Sequence, residues 1–198
     1  MGHRKGFLFV LLLGASAVTW ANEQSVTIGR SRYPATINGQ VGGKPIKLVL
    51  SGAAMRTRFG FSVYSIGSYV QAGSGLKSAR DLVNSKVPRQ LCLSFERGVD
   101  GDTLSQSFRD SIGMNHPAPE FEAELATLSK YMRAHSVKKG SRIWLSYIPG
   151  VGLGCQVVGS SEIRINNLAL AHAVWEVYLG QKNLDVAIQT GLTTRLAR

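Results

Sequence analysis

The stretch Leu48-Val49-Leu50-Ser51-Gly52-Ala53-Ala54-Met55-Arg56-Thr57-Arg58-Phe59-Gly60-Phe61-Ser62-Val63-Tyr64-Ser65-Ile66-Gly67-Ser68-Tyr69-Val70 decides how the rest of the chain is read. From Met55 the apolar residues Met55, Phe59, Phe61 and Val63 take odd positions, and Arg56, Arg58, Ser62 and Tyr64 even ones. That is the period-two pattern of β-structure with one polar face. Arg56 and Tyr64 are equidistant from Gly60. A tight turn centred there sets them opposite one another on neighbouring strands, about 5 Å apart at Cβ. A strand running straight through Gly60 would separate them by roughly 26 Å, so only a hairpin makes one site of the pair.

Working outward, Ser25 to Ile28, Tyr33 to Ile37 and Ile46 to Leu50 read as strands punctuated by Asn38-Gly39 and Gly42-Gly43 turns. Leu76, Arg80 and Val83 fit one short helix closed by Pro88, and Leu91, Leu93 and Phe95 share one face of a further strand. From Asp102 the period changes: Leu104, Phe108 and Ile112 recur every four residues, with Asp102 or Thr103 as N-cap. A second helix follows Pro119, with Phe121, Leu125, Leu128 and Met132 on its apolar side, and stops at Lys138-Lys139-Gly140. Arg142 to Ile148 and Gly154 to Val158 form a hairpin around Pro149-Gly150, Glu162 to Ile165 adds a strand, and helices over Ala169 to Leu179 and Leu184 to Thr190 end the chain. Strands, helices, strands, helices in that order predict an α+β fold, a large antiparallel sheet covered on one face by a layer of helices.

His3, Arg4 and Lys5 precede an uncharged run of 14 residues, Phe7 to Trp20, in the form of a cleaved signal peptide ending at Ala21. The run is shorter than the ~20 residues of a spanning helix, so no transmembrane segment is expected after signal removal. The expectation is an exported protein, periplasmic or secreted, with residues 22–198 as a single domain. That portion keeps 21 basic against 12 acidic residues, a net charge of +9, which favours anionic partners. The basic residues, among them Arg30, Lys44, Lys77, Arg89, Lys130, Lys138 and Arg164, are scattered rather than striped, which reads as solvated surface and excludes a nucleic-acid reader. Cys92 and Cys155 fit either one disulfide or two buried thiols, and with His116, His135 and His172 they form no metal-ligand spacing, so neither metal nor cofactor is expected.

Gly150-Val151-Gly152-Leu153-Gly154 precedes a strand and reads as a hairpin turn, not a phosphate loop. Ser51 lacks the setting of a nucleophile elbow. His172 reads as a hydrogen-bonded structural histidine within a helix, His116 as a loop residue. Arg56 carries a planar guanidinium fork that suits a carboxylate. Under covering helices it needs a partner: an acid from one of them, water at the sheet edge, or a ligand anion shared with Tyr64.

Leu48 to Arg56 and Val63 to Val70 resemble the paired strands of the chalcone isomerase-like family, "Gly-Ala-Gly-hydrophobic-Arg" followed by "Ile-Gly-x-Tyr-Leu". Pro88 to Arg97, Tyr147-Ile148-Pro149-Gly150-Val151-Gly152, Trp175-Glu176-Val177-Tyr178-Leu179-Gly180 and Asp185 agree in order, so the likeness spans about Ile37 to Leu196 and is nearest to exported bacterial members. The resemblance implies a cleft between sheet and helices. Plant isomerases of the family cyclise chalcones, whereas plastid relatives bind fatty acids. The strand arginine of both matches Arg56. The isomerase threonine falls on Tyr64, as in the fatty-acid binders, and its helical tyrosine, asparagine and late threonine fall near Leu104, Ser111 and Ala173. The resemblance therefore implies a non-catalytic protein with no catalytic residues, holding a small amphipathic anion such as a fatty acid between Arg56, Tyr64 and the apolar sides of the two C-terminal helices. An intramolecular lyase of chalcone isomerase type and an envelope protein-interaction module, with its protein partner unknown, are the alternatives. A porphyrin enters only if His172 faces the cleft.

Overall fold

The computed structural model describes residues 25–41 and 43–196. The expected signal peptide, residues 1–21, lies outside the described residues. Among the described residues nine strands and five helices follow in the order β1 (Val26–Ile28), β2 (Ser31–Tyr33), β3 (Thr36–Val41), β4 (Lys44–Arg58), β5 (Phe61–Gln71), α1 (Ala79–Asn84), β6 (Arg89–Phe95), α2 (Gly101–Gly113), α3 (Glu122–Arg133), β7 (Arg142–Ile148), β8 (Gly152–Val157), β9 (Ile163–Ile165), α4 (Leu168–Leu179) and α5 (Val186–Leu192). Strands β3 to β9 form one seven-stranded antiparallel sheet in chain order, and β1 and β2 form a separate two-stranded ribbon. The expected Tyr33 to Ile37 strand is thus divided: Pro34 and Ala35 separate Tyr33, in the ribbon, from Thr36, in the sheet. Proline lacks the N–H that a continuous ladder would use.

Alternation sorts the sheet's two faces. Leu91, Leu93 and Phe95 point into the main core, beneath α2, α3 and α4, together with Ile66, Leu145 and the fully buried Trp175. Cys92, between them, points to the other face, where Tyr33, Leu48, Leu50 and Tyr69 make a smaller core under the β1–β2 ribbon. Tyr33 lies directly on Gly67, where an added Cβ would come within 2.4 Å of its ring. Cys155 belongs to the main core, so β7 and the sheet itself separate the two thiols and they form no disulfide. Burial pushes each thiol up to about 12, which leaves both protonated and unreactive at neutral pH.

The decisive stretch is a hairpin, reached by a route that alternation alone does not reveal. Its loop is the two residues Phe59 and Gly60, with Arg58 paired to Phe61, so the turn is not centred on Gly60. Thr57 then pairs with Ser62 and Arg56 with Tyr64, which leaves Val63 as an extra residue, a β-bulge. The bulge restores the pairing of Arg56 with Tyr64 and exchanges the faces beyond it. Phe59 and Phe61, members of the apolar set in the alternation, are 85% and 66% exposed.

A second bulge, at Ser51, seats α5. The Ser51 hydroxyl donates to Leu192 O at 2.9 Å, Arg195 N–H donates to Ser51 O at 2.8 Å, and a Cβ on Gly52 would sit 2.2 Å from Gly191 O. Glycine lets the end of α5 lie directly on β4, and this contact fixes where the residues ahead of α5, Leu184 and Asp185, come to rest.

One basic residue departs from the expected solvated surface. Arg89 is 0% exposed. Its guanidinium donates to Val83 O at 3.1 Å and to Ser85 O, the carbonyls that end α1, and its Cζ lies 3.9 Å from the Tyr147 ring centre and 4.8 Å from that of Trp175. Burial lowers its pKa to about 10, so it stays charged at neutral pH.

Candidate functional site

Arg56 and Tyr64 stand side by side on β4 and β5, at the rim of the helix-covered face. The Arg56 side chain is 20% exposed. Among the described residues its guanidinium reaches Leu184 O at 3.5 Å and Asp185 Oδ2 at 3.6 Å, both long contacts through Nη1. Asp185 spends its other oxygen on the N-cap of α5, accepting from Ala187 N–H at 2.9 Å. The internal acid is therefore present but loosely engaged. A part-exposed pair of this length contributes about 0–1 kcal/mol, and most of the five guanidinium donors remain for another acceptor.

Tyr64 is hydrogen-bonded to Tyr178 of α4. Burial raises its pKa, against the lowering by the Tyr178 hydrogen bond and the Arg56 charge, and burial together with Tyr64 raises that of Tyr178 well above 10. Both phenols are neutral at working pH. The Tyr64 hydroxyl thus sits between the Tyr178 hydroxyl and the Arg56 charge.

Two connected hollows meet at this pair. The outer one, about 320 Å³, is lined by Arg56, Arg58, Tyr64, Asp110, Met114 and Leu184. The inner one, about 70 Å³, lies between the sheet and helices α2 and α4, with Leu93, Phe95, Leu104, Phe108, Val174 and Val177 in its wall. Val63, Tyr64, Ser107 and Ser111 border both. The result is a polar, cationic mouth leading to an apolar chamber. Outer volume falls at the low end of the ~300–1,000 Å³ of ligand pockets, and the inner chamber well below it.

Several sequence expectations change here. The apolar walls come from α2 and α4; of the two C-terminal helices expected there α4 contributes and α5 does not, reaching the site only through the preceding Leu184 and Asp185. Leu104 and Ser111 do line the cleft, whereas Ala173 is buried in α4 outside the lining. His172 points away from the cleft: its Nδ1–H donates to Val83 O at 2.8 Å and its ring lies 5.0 Å from that of Tyr147. It is the structural histidine expected, and the porphyrin reading, which needed it in the cleft, loses its ligand. The sequence gives Tyr178 no evident role, although Val174, Val177 and Tyr178 follow the i, i+3, i+4 spacing of one helix face.

His116 is more than a loop residue. Its Nε2 meets Glu176 Oε2 of α4 at 2.6 Å and its Nδ1 meets Glu120 Oε1 at 2.9 Å, tying the end of α2 to α4 below the cleft. Burial opposes its charge, but the hydrogen bonds to Glu176 and Glu120 outweigh it and raise the pKa above 6.5. A raised folded-state pKa gives stability that is full below the unfolded value and is lost as pH rises through the folded one. Thermal unfolding of the wild type is therefore expected at lower temperature as pH rises above 6.5. His116→Gln should flatten that slope; an equal slope in both would remove His116 from this role.

Residues 26–193 match a family model described as chalcone isomerase-like. The crystal structure of a fatty-acid binding protein of Arabidopsis thaliana superposes with a TM-score of 0.66 at 17% sequence identity, covering 85% of this chain and 95% of that one. At that identity the likeness establishes the fold, a seven-stranded antiparallel sheet with a layer of helices. No curated protein matches the sequence.

Proposed function

This chain belongs to the chalcone isomerase-like family, and from that premise we propose that it is a non-catalytic, exported carrier of an amphipathic anion, a long-chain fatty acid or a molecule of that form. The observation that carries the reading is the junction itself: Arg56 and Tyr64 stand where a cationic mouth meets an apolar chamber. The carboxylate lies against the guanidinium, displacing the loose contact with Asp185, and accepts the Tyr64 O–H. The tail runs beneath α2. Because the inner chamber is about 70 Å³, Leu104 and Phe108 must swing aside, or α2 must lift, as the tail enters. Export to the periplasm or beyond rests on the signal-like pattern of residues 1–21.

The cleft gives a lyase little to work with. Leu104 is apolar, and the Ser111 hydroxyl donates back to Ser107 O at 2.6 Å. Titration with a fluorescent polyunsaturated fatty acid and with its methyl ester tests the reading. The acid should saturate a single site and the ester bind at least about tenfold more weakly, since esterification removes the charge that Arg56 reads. Equal binding of acid and ester would contradict the role of Arg56 and Tyr64. Binding of neither would overturn the carrier.

A further inference from the structure

The tip of the β4–β5 hairpin carries two large apolar side chains in water. Phe59 is 85% exposed and Phe61 66%. Phe59 is also the residue whose presence local structure least explains. Its φ is +51° and that of Gly60 is +78°, the paired left-handed conformation of a two-residue hairpin turn. Asparagine and glycine are the residues such a turn favours, and a bulky side chain there is an outlier. The other non-glycine residue with positive φ among the described residues, Phe121 at +58°, packs its ring 5.2 Å from that of His116, which offsets its strain. Phe59 has no such packing. Its neighbour is Arg58, whose Cζ lies 5.2 Å from the ring centre. A strained aromatic that contributes nothing to the core is available for a contact made outside the molecule.

The surroundings say what that contact is. Phe61 pairs with Arg58, which lines the cleft mouth together with Arg56. Met114, 40% exposed, lines the same mouth from the end of α2. Of the six large hydrophobics exposed among the described residues, Phe59, Phe61 and Met114 thus lie on or beside the lining of this opening. The acids facing the rim are Asp110 in the mouth and Asp185, which is engaged with Arg56 and the start of α5. Exposed phenylalanines beside arginines, on a chain whose residues 22–198 carry a net charge of +9, match an interface that is apolar inside and anionic at its surface.

We propose that the Phe59–Phe61 hairpin tip is a membrane anchor, which inserts its two rings among the lipids of an anionic bilayer and sets the cleft mouth against the headgroups. The anchor stands on its own observations and holds whether or not the cleft carries a fatty acid; if it does, the ligand enters and leaves without crossing open water. Each arginine held at an anionic surface strengthens attachment roughly fivefold, and the rings supply the insertion.

The experiment is flotation with phosphatidylcholine vesicles, with and without phosphatidylglycerol, using the protein in the form its own cell accumulates. Wild type and the Phe59→Asn/Phe61→Thr variant share the same N-terminus, so their difference reads the hairpin alone. Wild type should float with the anionic vesicles, and the variant at least about tenfold less. Asparagine relieves the left-handed strain, so the variant should melt no lower than wild type, which separates lost attachment from misfolding. Its fatty-acid titration in vesicle-free buffer should match wild type, so failure of the anchor and failure of the carrier are told apart. In Phe59→Trp, the added indole's emission should shift to the blue with anionic vesicles and be quenched by brominated lipid. Equal flotation of wild type and variant, or emission of the Phe59→Trp protein unmoved by vesicles, would overturn the anchor and leave a protein partner as the occupant of this tip.

Discussion

Arg89→Met is expected to lower the unfolding free energy by about 3–5 kcal/mol. No carboxylate approaches this buried cation among the described residues; its charge is held by the carbonyls of Val83, Ser85 and Val87 and by the faces of Tyr147 and Trp175. Methionine fills the space between the rings but donates nothing, so the Ser85 carbonyl is left unpaired and Val83 O keeps only the His172 Nδ1–H. Each lost charge-assisted hydrogen bond costs about 1.5–3 kcal/mol, and the lost cation–π contacts add to that. The apolar packing gained with methionine offsets part of the sum. Arg89 Nε, which has no acceptor among the described residues, subtracts little when removed. Urea unfolding followed by circular dichroism measures the loss. A midpoint unchanged from wild type would mean that the carbonyls re-pair without the guanidinium.

Arg56→Gln should behave in the opposite manner: little change in stability and a large change in binding. The contact it breaks with Asp185 is 3.6 Å long and part-exposed, so stability should move by no more than about 1 kcal/mol. A carboxylate that loses a guanidinium fork in a half-buried cleft loses about 2–3 kcal/mol, or roughly 30- to 150-fold in affinity. Isothermal titration with a long-chain fatty acid gives the binding constant, and a thermal melt of the same sample gives the control. Affinity within about twofold of wild type would remove Arg56 from the site.

Much of this could be seen in the sequence because it depends on side-chain period. Alternation from Met55 to Tyr64 marked the strands, an assumed turn at Gly60 set Arg56 opposite Tyr64, a pairing the structure reaches through the Val63 bulge instead, and the four-residue spacing of Leu104, Phe108 and Ile112 located α2, a wall of the cleft. What escaped depends on single residues that break a period or on contacts far apart in the chain. Phe59 lies in the two-residue turn and Phe61 beside it, beyond the bulge at Val63, so both are exposed although their period places them on an apolar face. Arg89 follows a proline at a strand start, like many surface arginines, and only the end of α1 and the Trp175 ring make it a core residue. The His116 bridge to Glu176 spans 60 residues, and the Tyr64 bond to Tyr178 spans still more. No local pattern encodes such pairs; they exist because α4 packs against α2 and its Tyr178 reaches Tyr64 on β5.

The most direct test of a carrier built on Arg56 is native mass spectrometry of the protein taken from its own cell, with Arg56→Ala prepared alongside. A wild-type population heavier by the mass of one acyl anion, absent from the variant, is the expected result. A wild type without added mass, or an added mass that survives in Arg56→Ala, would contradict such a carrier.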